Sequence, residues 1–117
     1  MEKEIKRRSY LFSLETIKFL KSRQWDQLSM VLVRQLLRSA TSIGANVAEA
    51  RNSASRLEFK RFYEIALKSA NETLYWLNLL KDGYQLKDEK LDMLLKEVDE
   101  LTRILASSVL KLKQAKS

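Results

Sequence analysis

Residues 35 to 49 hold a row of side chains that could bind or react: Gln35, Ser39, Ser42, Asn46 and Glu49, at spacings of four, three, four and three. That spacing puts all five on one face of a helix. Arg34 and Arg38 stand beside the row, one turn apart. Two chemistries fit. The row could line a ligand or catalytic site, with the arginines clamping phosphates bidentately. It could equally be a contact between helices, where short polar groups hydrogen-bond and fix register or assembly state, and the arginines pair with a carboxylate on another helix. Glu49 lies about three turns from Arg38 and cannot reach it within one helix. The row holds no good nucleophile or base, which favours the contact reading. Gly44, Ala45 and Ala48 would let backbones approach closely at the same place.

Composition narrows the chemistry further. The chain has no histidine and no cysteine among its 117 residues. The commonest general base, the commonest metal ligand and the thiol nucleophile are therefore missing. The carboxylates Glu49, Glu58, Glu64 and Glu72 lack the Glu-x-x-His partner of helical di-metal sites. No catalytic constellation, metal or cofactor is expected, and the reading is of a protein that is not an enzyme. Tyr75 and Trp76 read as packing or interface residues.

A second constellation is basic. The formal charge is +7, from 22 Lys and Arg against 15 Asp and Glu. Lys3, Lys6, Arg7, Arg8, Lys18, Lys21 and Arg23 crowd the first helix and the loop after it; Lys60, Arg61 and Lys68 sit on the third; Lys111, Lys113 and Lys116 close the chain. These are either a solvated surface or a distributed phosphate-binding surface for RNA or DNA.

The elements that must carry these residues are four helices. With no proline and two glycines, nothing interrupts long helices. The first is expected over about 4–22, with Tyr10, Phe12, Leu14, Ile17, Phe19 and Leu20 inward. The second runs over 27–51 with Asp26 as its cap. It carries two adjoining apolar stripes, Leu32, Leu36, Ala40, Ile43 and Val47, and Met30, Val33, Leu37, Gly44 and Ala48, so it reads as covered on two sides. Ser55 and Glu58 form a capping box that opens the third helix. It runs to about Asp82, with Phe59, Phe62, Ala66, Ala70, Thr73, Trp76, Leu77 and Leu80 inward and Gly83 in the left-handed position that ends it. The fourth, about 88–113, bears a heptad seam of Leu91, Leu94, Val98, Leu101, Leu105, Ser108 and Leu112. Short connections predict a single all-α domain over 1–117, an antiparallel up-down-up-down four-helix bundle. No apolar run reaches the length of a membrane span and the N-terminus is charged, so the expected location is cytoplasmic with no membrane partner.

The stretch "LLRSATSIGANVAEA", followed by "EFKRFYEIALKSANETLYWLNLL", resembles the bacterial four-helix-bundle family named for 23S rRNA-intervening sequence proteins. The resemblance runs from about Ser9 to Leu112. It rests on Arg38, Ser39, Ser42, Ile43, Ala45, Asn46 and Glu49, then on Ala70, Glu72, Tyr75, Trp76 and Leu77. Ala50 stands where a subset of the family has glycine, and Lys87 where the fourth helix often has a Thr or Ser cap, leaving Asp88 to serve. The resemblance implies a homo-oligomer, a pentameric barrel with a central channel. It also points to relatives among the accessory variability proteins of diversity-generating retroelements, which bind nucleic acid and a reverse transcriptase. Two functions stay open: a nucleic-acid-binding oligomer, or an adaptor scaffold for a protein partner with no nucleic-acid role.

Overall fold

The computed structural model describes residues 2–114, so Lys116 lies outside the described residues. The elements are α1 (Glu2–Lys21), α2 (Gln27–Arg51), α3 (Arg56–Gly83) and α4 (Glu89–Gln114). They pack around one core as a bundle with extents of 50 × 22 × 20 Å. Among the described residues there is no strand, and no helix is long and apolar enough to cross a membrane.

Capping chemistry explains why α2, α3 and α4 begin where they do. Asp26 Oδ1 accepts from the Ser29 N–H at 2.8 Å and the Ser29 hydroxyl at 2.6 Å, satisfying free donors of the first turn. Ser55 Oγ accepts from the Glu58 N–H at 3.1 Å, while the Glu58 carboxylate takes the N–H of Ala54 at 2.9 Å, one residue ahead of the cap. Asp88 Oδ1 accepts from the N–H groups of Lys90 and Leu91 and so caps α4.

The end of α3 differs from expectation. No glycine has positive φ; Gln85 does, at 51°. Leu86 donates to the Lys81 carbonyl at 3.0 Å, the six-to-one bond of a Schellman ending with Gln85 at its left-handed position. Gly83 is simply the last helical residue.

The interior of α1 also differs. Its buried row is Ile5, Ser9, Phe12, Thr16, Phe19 and Leu20, whereas Tyr10 and Ile17 are exposed. Ser9 and Thr16 are tolerated inside because each hydroxyl bonds a carbonyl one turn back, Lys6 and Phe12 respectively. In α2 the first stripe is interior from Leu36 to Val47, but Leu37 of the second is exposed. In α3, Tyr63 and Ser69 join the buried row; Phe59, Phe62 and Trp76 pack half-buried at its margin. The α4 seam holds through Leu105 and ends on Val109 in place of Ser108.

Candidate functional site

The polar row on α2 faces α3. Ser39, fully buried, is hydrogen-bonded to Thr73 at 2.8 Å, and Ser42 to Ser69 at 2.9 Å. Asn46 folds back on Ser42, donating to its carbonyl at 2.8 Å. Arg38 closes the row from outside, 2.7 Å from Glu72 and within bonding distance of Gln35. From Gln35 to Asn46 each polar side chain of the row thus finds a partner on α3 or on its own helix. Small hydroxyls permit the two backbones to come close and are satisfied there by one another.

Gly44 serves the neighbouring contact. A Cβ built on it would lie 3.3 Å from the Ser9 carbonyl oxygen of α1, tighter than ordinary packing. Gly44 and Ser42 are therefore small because α1 and α3 of the same chain press on them, whereas Ala45, expected at the same close contact, is exposed. Arg34 and Glu49 are exposed and make no ion pair among the described residues. They stand apart from the Ser39–Ser42–Asn46 group.

The basic residues divide into two sets. Arg8, read above as a phosphate ligand, is committed elsewhere: Nε and Nη2 form a fork on Glu97 at 2.9 and 2.7 Å, and Nη2 also reaches Glu100 at 2.8 Å. The Glu97 and Glu100 hydrogen bonds hold the Arg8 guanidinium well above its ordinary pKa, against a smaller effect of burial. These bonds weigh against Arg8 as a phosphate ligand, because a guanidinium held by two carboxylates is a poor anion receptor. Arg23 pairs with Asp88 at 3.2 Å and Lys18 with Glu15 at 3.3 Å. Lys3, Lys6, Arg7, Lys21, Lys60 and Arg61 make no ion pair among the described residues, and all but the half-buried Lys60 are exposed.

Two concavities accompany these charges. A groove of about 470 Å³ between α1 and α4 has Leu11, Phe12, Met93 and Leu94 along it, with Arg8 and its two carboxylates at its side. A recess of about 610 Å³ opens at the α2–α3 turn, lined by Glu2, Arg51, Arg56, Phe59 and Leu112 among others. Arg51 and Arg56 were not singled out in the sequence, since they belong to no periodic row. Among the described residues no group of His, Cys, Asp and Glu is placed to hold a metal ion.

The outward side of the α2–α3 pair is apolar at one end. Leu28 and Val31 precede Gln35 and Arg38 on one row, and Tyr75 and Leu79 follow Glu72 on the other; all four are exposed, Leu28 at 74%. The Arg38–Glu72 bond sets the two rows side by side. Tyr75 meets Trp76 edge-on at 5.1 Å, and Trp76 Nε1 is buried with no hydrogen-bond partner among the described residues.

Comparison with known proteins is consistent across sequence and structure. The model of the family described as 23S rRNA-intervening sequence protein matches residues 1–107. A crystal structure of a protein of unknown function from the S23 ribosomal protein family of Bacteroides thetaiotaomicron VPI-5482 is 34% identical, with a TM-score of 0.78 over 90% of this chain and 97% of that one. No curated protein matches the chain.

Proposed function

The chain belongs to the 23S rRNA-intervening sequence protein family, and from that premise we propose that it is a non-enzymatic, cytoplasmic, homo-oligomeric bundle protein that binds RNA or DNA through distributed Lys and Arg. The observation that carries the reading is the set of unpaired cations. Lys3, Lys6, Arg7, Lys21, Lys60 and Arg61 have no carboxylate partner among the described residues, in a chain of net charge +7. Such a surface contacts phosphates and has weak sequence preference.

The proposed arrangement is antiparallel, up-down-up-down. The pairs Ser39–Thr73 and Ser42–Ser69 support it, since the number rises on α2 as it falls on α3. Assembly into a pentamer, as the resemblance implies, is supported by the exposed Leu28, Val31, Tyr75 and Leu79, an apolar end of the kind that a partner surface covers. Five copies carry about +35, which strengthens long-range attraction for polyanions.

The test is salt titration of binding to a single-stranded RNA and to a DNA duplex, with light scattering alongside. Engaging about six phosphates gives log–log slopes near −4 for the single strand and −5 for the duplex. Binding that ignores salt, or none at low salt, overturns the nucleic-acid reading, and a monomer mass overturns assembly. The same apolar end favours a second reading, an adaptor for a protein partner such as a reverse transcriptase. Co-purification of a protein without any nucleic-acid affinity would select it.

A further inference from the structure

We infer that the recess at the α2–α3 turn receives an unpaired nucleotide of a single-stranded nucleic acid, its base against Phe59 and its phosphates on Arg51 and Arg56. The inference rests on the nucleic-acid reading above and goes beyond it, by naming a place and a strandedness.

Four segments of the chain converge on this recess: Glu2 at the start of α1, Ala50 and Arg51 at the end of α2, Arg56 and Phe59 in the first turns of α3, and Leu112 near the end of α4. Its volume, about 610 Å³, lies in the range of pockets that take ligands of nucleotide size. Arg51 and Arg56 are exposed, and neither makes an ion pair among the described residues. Both therefore keep the planar fork that grips phosphate oxygens two at a time. Glu2 is the one carboxylate among the lining residues.

The α1–α4 groove is the internal control for this argument. It is lined by Arg8, Lys90 and Lys96 and by Glu15, Glu97 and Glu100, so its charges cancel, and its arginine is already forked on a carboxylate. Charge along the chain follows the same division. Segments 2–7, 49–64 and 109–114, which meet at or beside the recess, hold nine Lys and Arg against five Asp and Glu. Segments 15–26 and 81–92 hold six against six, and Arg23–Asp88 and Lys81–Asp92 pair there. Of these two groups of segments, the excess of Lys and Arg lies in the one around the recess, where Arg51 and Arg56 make no ion pair among the described residues.

An aromatic ring in the same recess separates this site from a plain phosphate patch. Phe59 stacks on Tyr63 with ring centroids 4.7 Å apart and planes 25° from parallel. Tyr63 is buried, so Phe59 is held by a fixed platform while it lines the recess. Burial pushes the Tyr63 phenol up, Glu2 adds to the rise and Arg51 opposes it, which places Arg51 within electrostatic reach of the ring pair. A cationic rim beside an aromatic face is the arrangement that holds single strands, because every unpaired base offers a π face. Bases in a duplex are stacked and paired, and cannot offer that face to Phe59.

The experiment is fluorescence anisotropy with a labelled oligouridylate and a DNA duplex of equal length. The proteins are wild type, Arg51→Ala with Arg56→Ala, Phe59→Leu, and Lys87→Ala with Lys90→Ala, two exposed lysines outside the proposed surface, as a control away from the recess. The arginine pair is expected to weaken single-strand binding about tenfold or more, and Phe59→Leu about tenfold with duplex binding unchanged. The control should stay within about twofold, with an unchanged salt slope. Should Phe59→Leu lose its helical circular dichroism, the surface arginine pair still decides the outcome. Ultraviolet cross-linking of the oligouridylate to wild type is expected to label the peptide holding Phe59 and Tyr63. Wild-type affinity in the arginine pair, or cross-links only outside the recess, overturns the inference and leaves nucleic-acid binding standing. A wild type that binds neither probe overturns the functional reading itself, and this site with it.

Discussion

Helix α2 meets its neighbours through small side chains, whereas α1 and α4 meet through long charged ones. On the α2 side, Gly44 lies under the Ser9 carbonyl, and Ser39 and Ser42 bond Thr73 and Ser69. On the α1–α4 side, Arg8 spans to Glu97 and Glu100 beside a groove of about 470 Å³, and Arg23 pairs with Asp88 where the chain leaves α1 and enters α4. Small groups let backbones close until dispersion and hydroxyl bonds hold them, a contact that salt does not weaken. Long charged groups bridge a wider gap, leave space beneath, and respond to salt and pH. One bundle therefore contains a rigid seam and an electrostatically adjustable one.

The largest effect should come from breaking the close seam. In Gly44→Leu, even the first added carbon meets the Ser9 backbone at 3.3 Å, and backbone cannot swing aside as a side chain does. The loss expected is about 3 kcal/mol, which overpacking of a tight contact costs, read as a lower urea midpoint with an unchanged slope. Since the contact is with α1 of the same chain, the lesion is in the fold first, and any loss of assembly follows from it. A variant as stable as wild type would show that α1 can lift from α2 freely, and the contrast between the seams would fail.

How much of this could be read from sequence depended on whether a residue's role is local. The α4 seam was legible because Leu91, Leu94, Val98, Leu101 and Leu105 are all apolar and in step. The caps Asp26 and Ser55 were legible because their partners are three residues away. The α1 face was not, since Ser9 and Thr16 interrupt an otherwise regular row and Tyr10 and Ile17 offer a false one. Gly83 reads as the left-handed helix end because glycine is the usual residue there, yet Gln85 takes that conformation two positions later. The candidate site was hardest. Nothing near Arg8 in sequence announces Glu97, 89 positions away, and Arg51 and Arg56 become one feature only when the turn folds them around Phe59.

An intermediate effect should sharpen the electrostatic half of the comparison. Arg8→Met keeps an apolar stem over the groove but leaves Glu97 and Glu100 without their shared cation. All three side chains are partly exposed, so the expected loss is about 1 kcal/mol at low salt. Salt dependence is the sharper readout. Added NaCl should weaken the wild-type pair but relieve the Glu97–Glu100 repulsion in the variant, so the gap between the two proteins narrows as salt rises. Gly44→Leu should show a gap that salt leaves alone. If both gaps moved together with salt, the seams would not differ in kind.

The smallest effect isolates one charge at the same seam. Burial works against ionisation of Asp88, yet the Arg23 hydrogen bond and the N–H groups of Leu91 and Lys90 hold its carboxyl below the usual carboxylate range. A folded pKa below the unfolded one, about 3.9, contributes stability that is complete above the unfolded value and disappears as pH falls through the folded one. Asn caps a helix nearly as well as Asp, so Asp88→Asn removes the Arg23 charge pair and keeps the cap. The expected difference at neutral pH is about 0.5 kcal/mol, as for a partly screened pair, and it should vanish in acid below both pKa values. Denaturant titrations at neutral pH and in acid would read it. A difference that persisted in acid would mean that Asp88 acts through cap geometry alone, and that Arg23 contributes nothing to holding α4 beside α1.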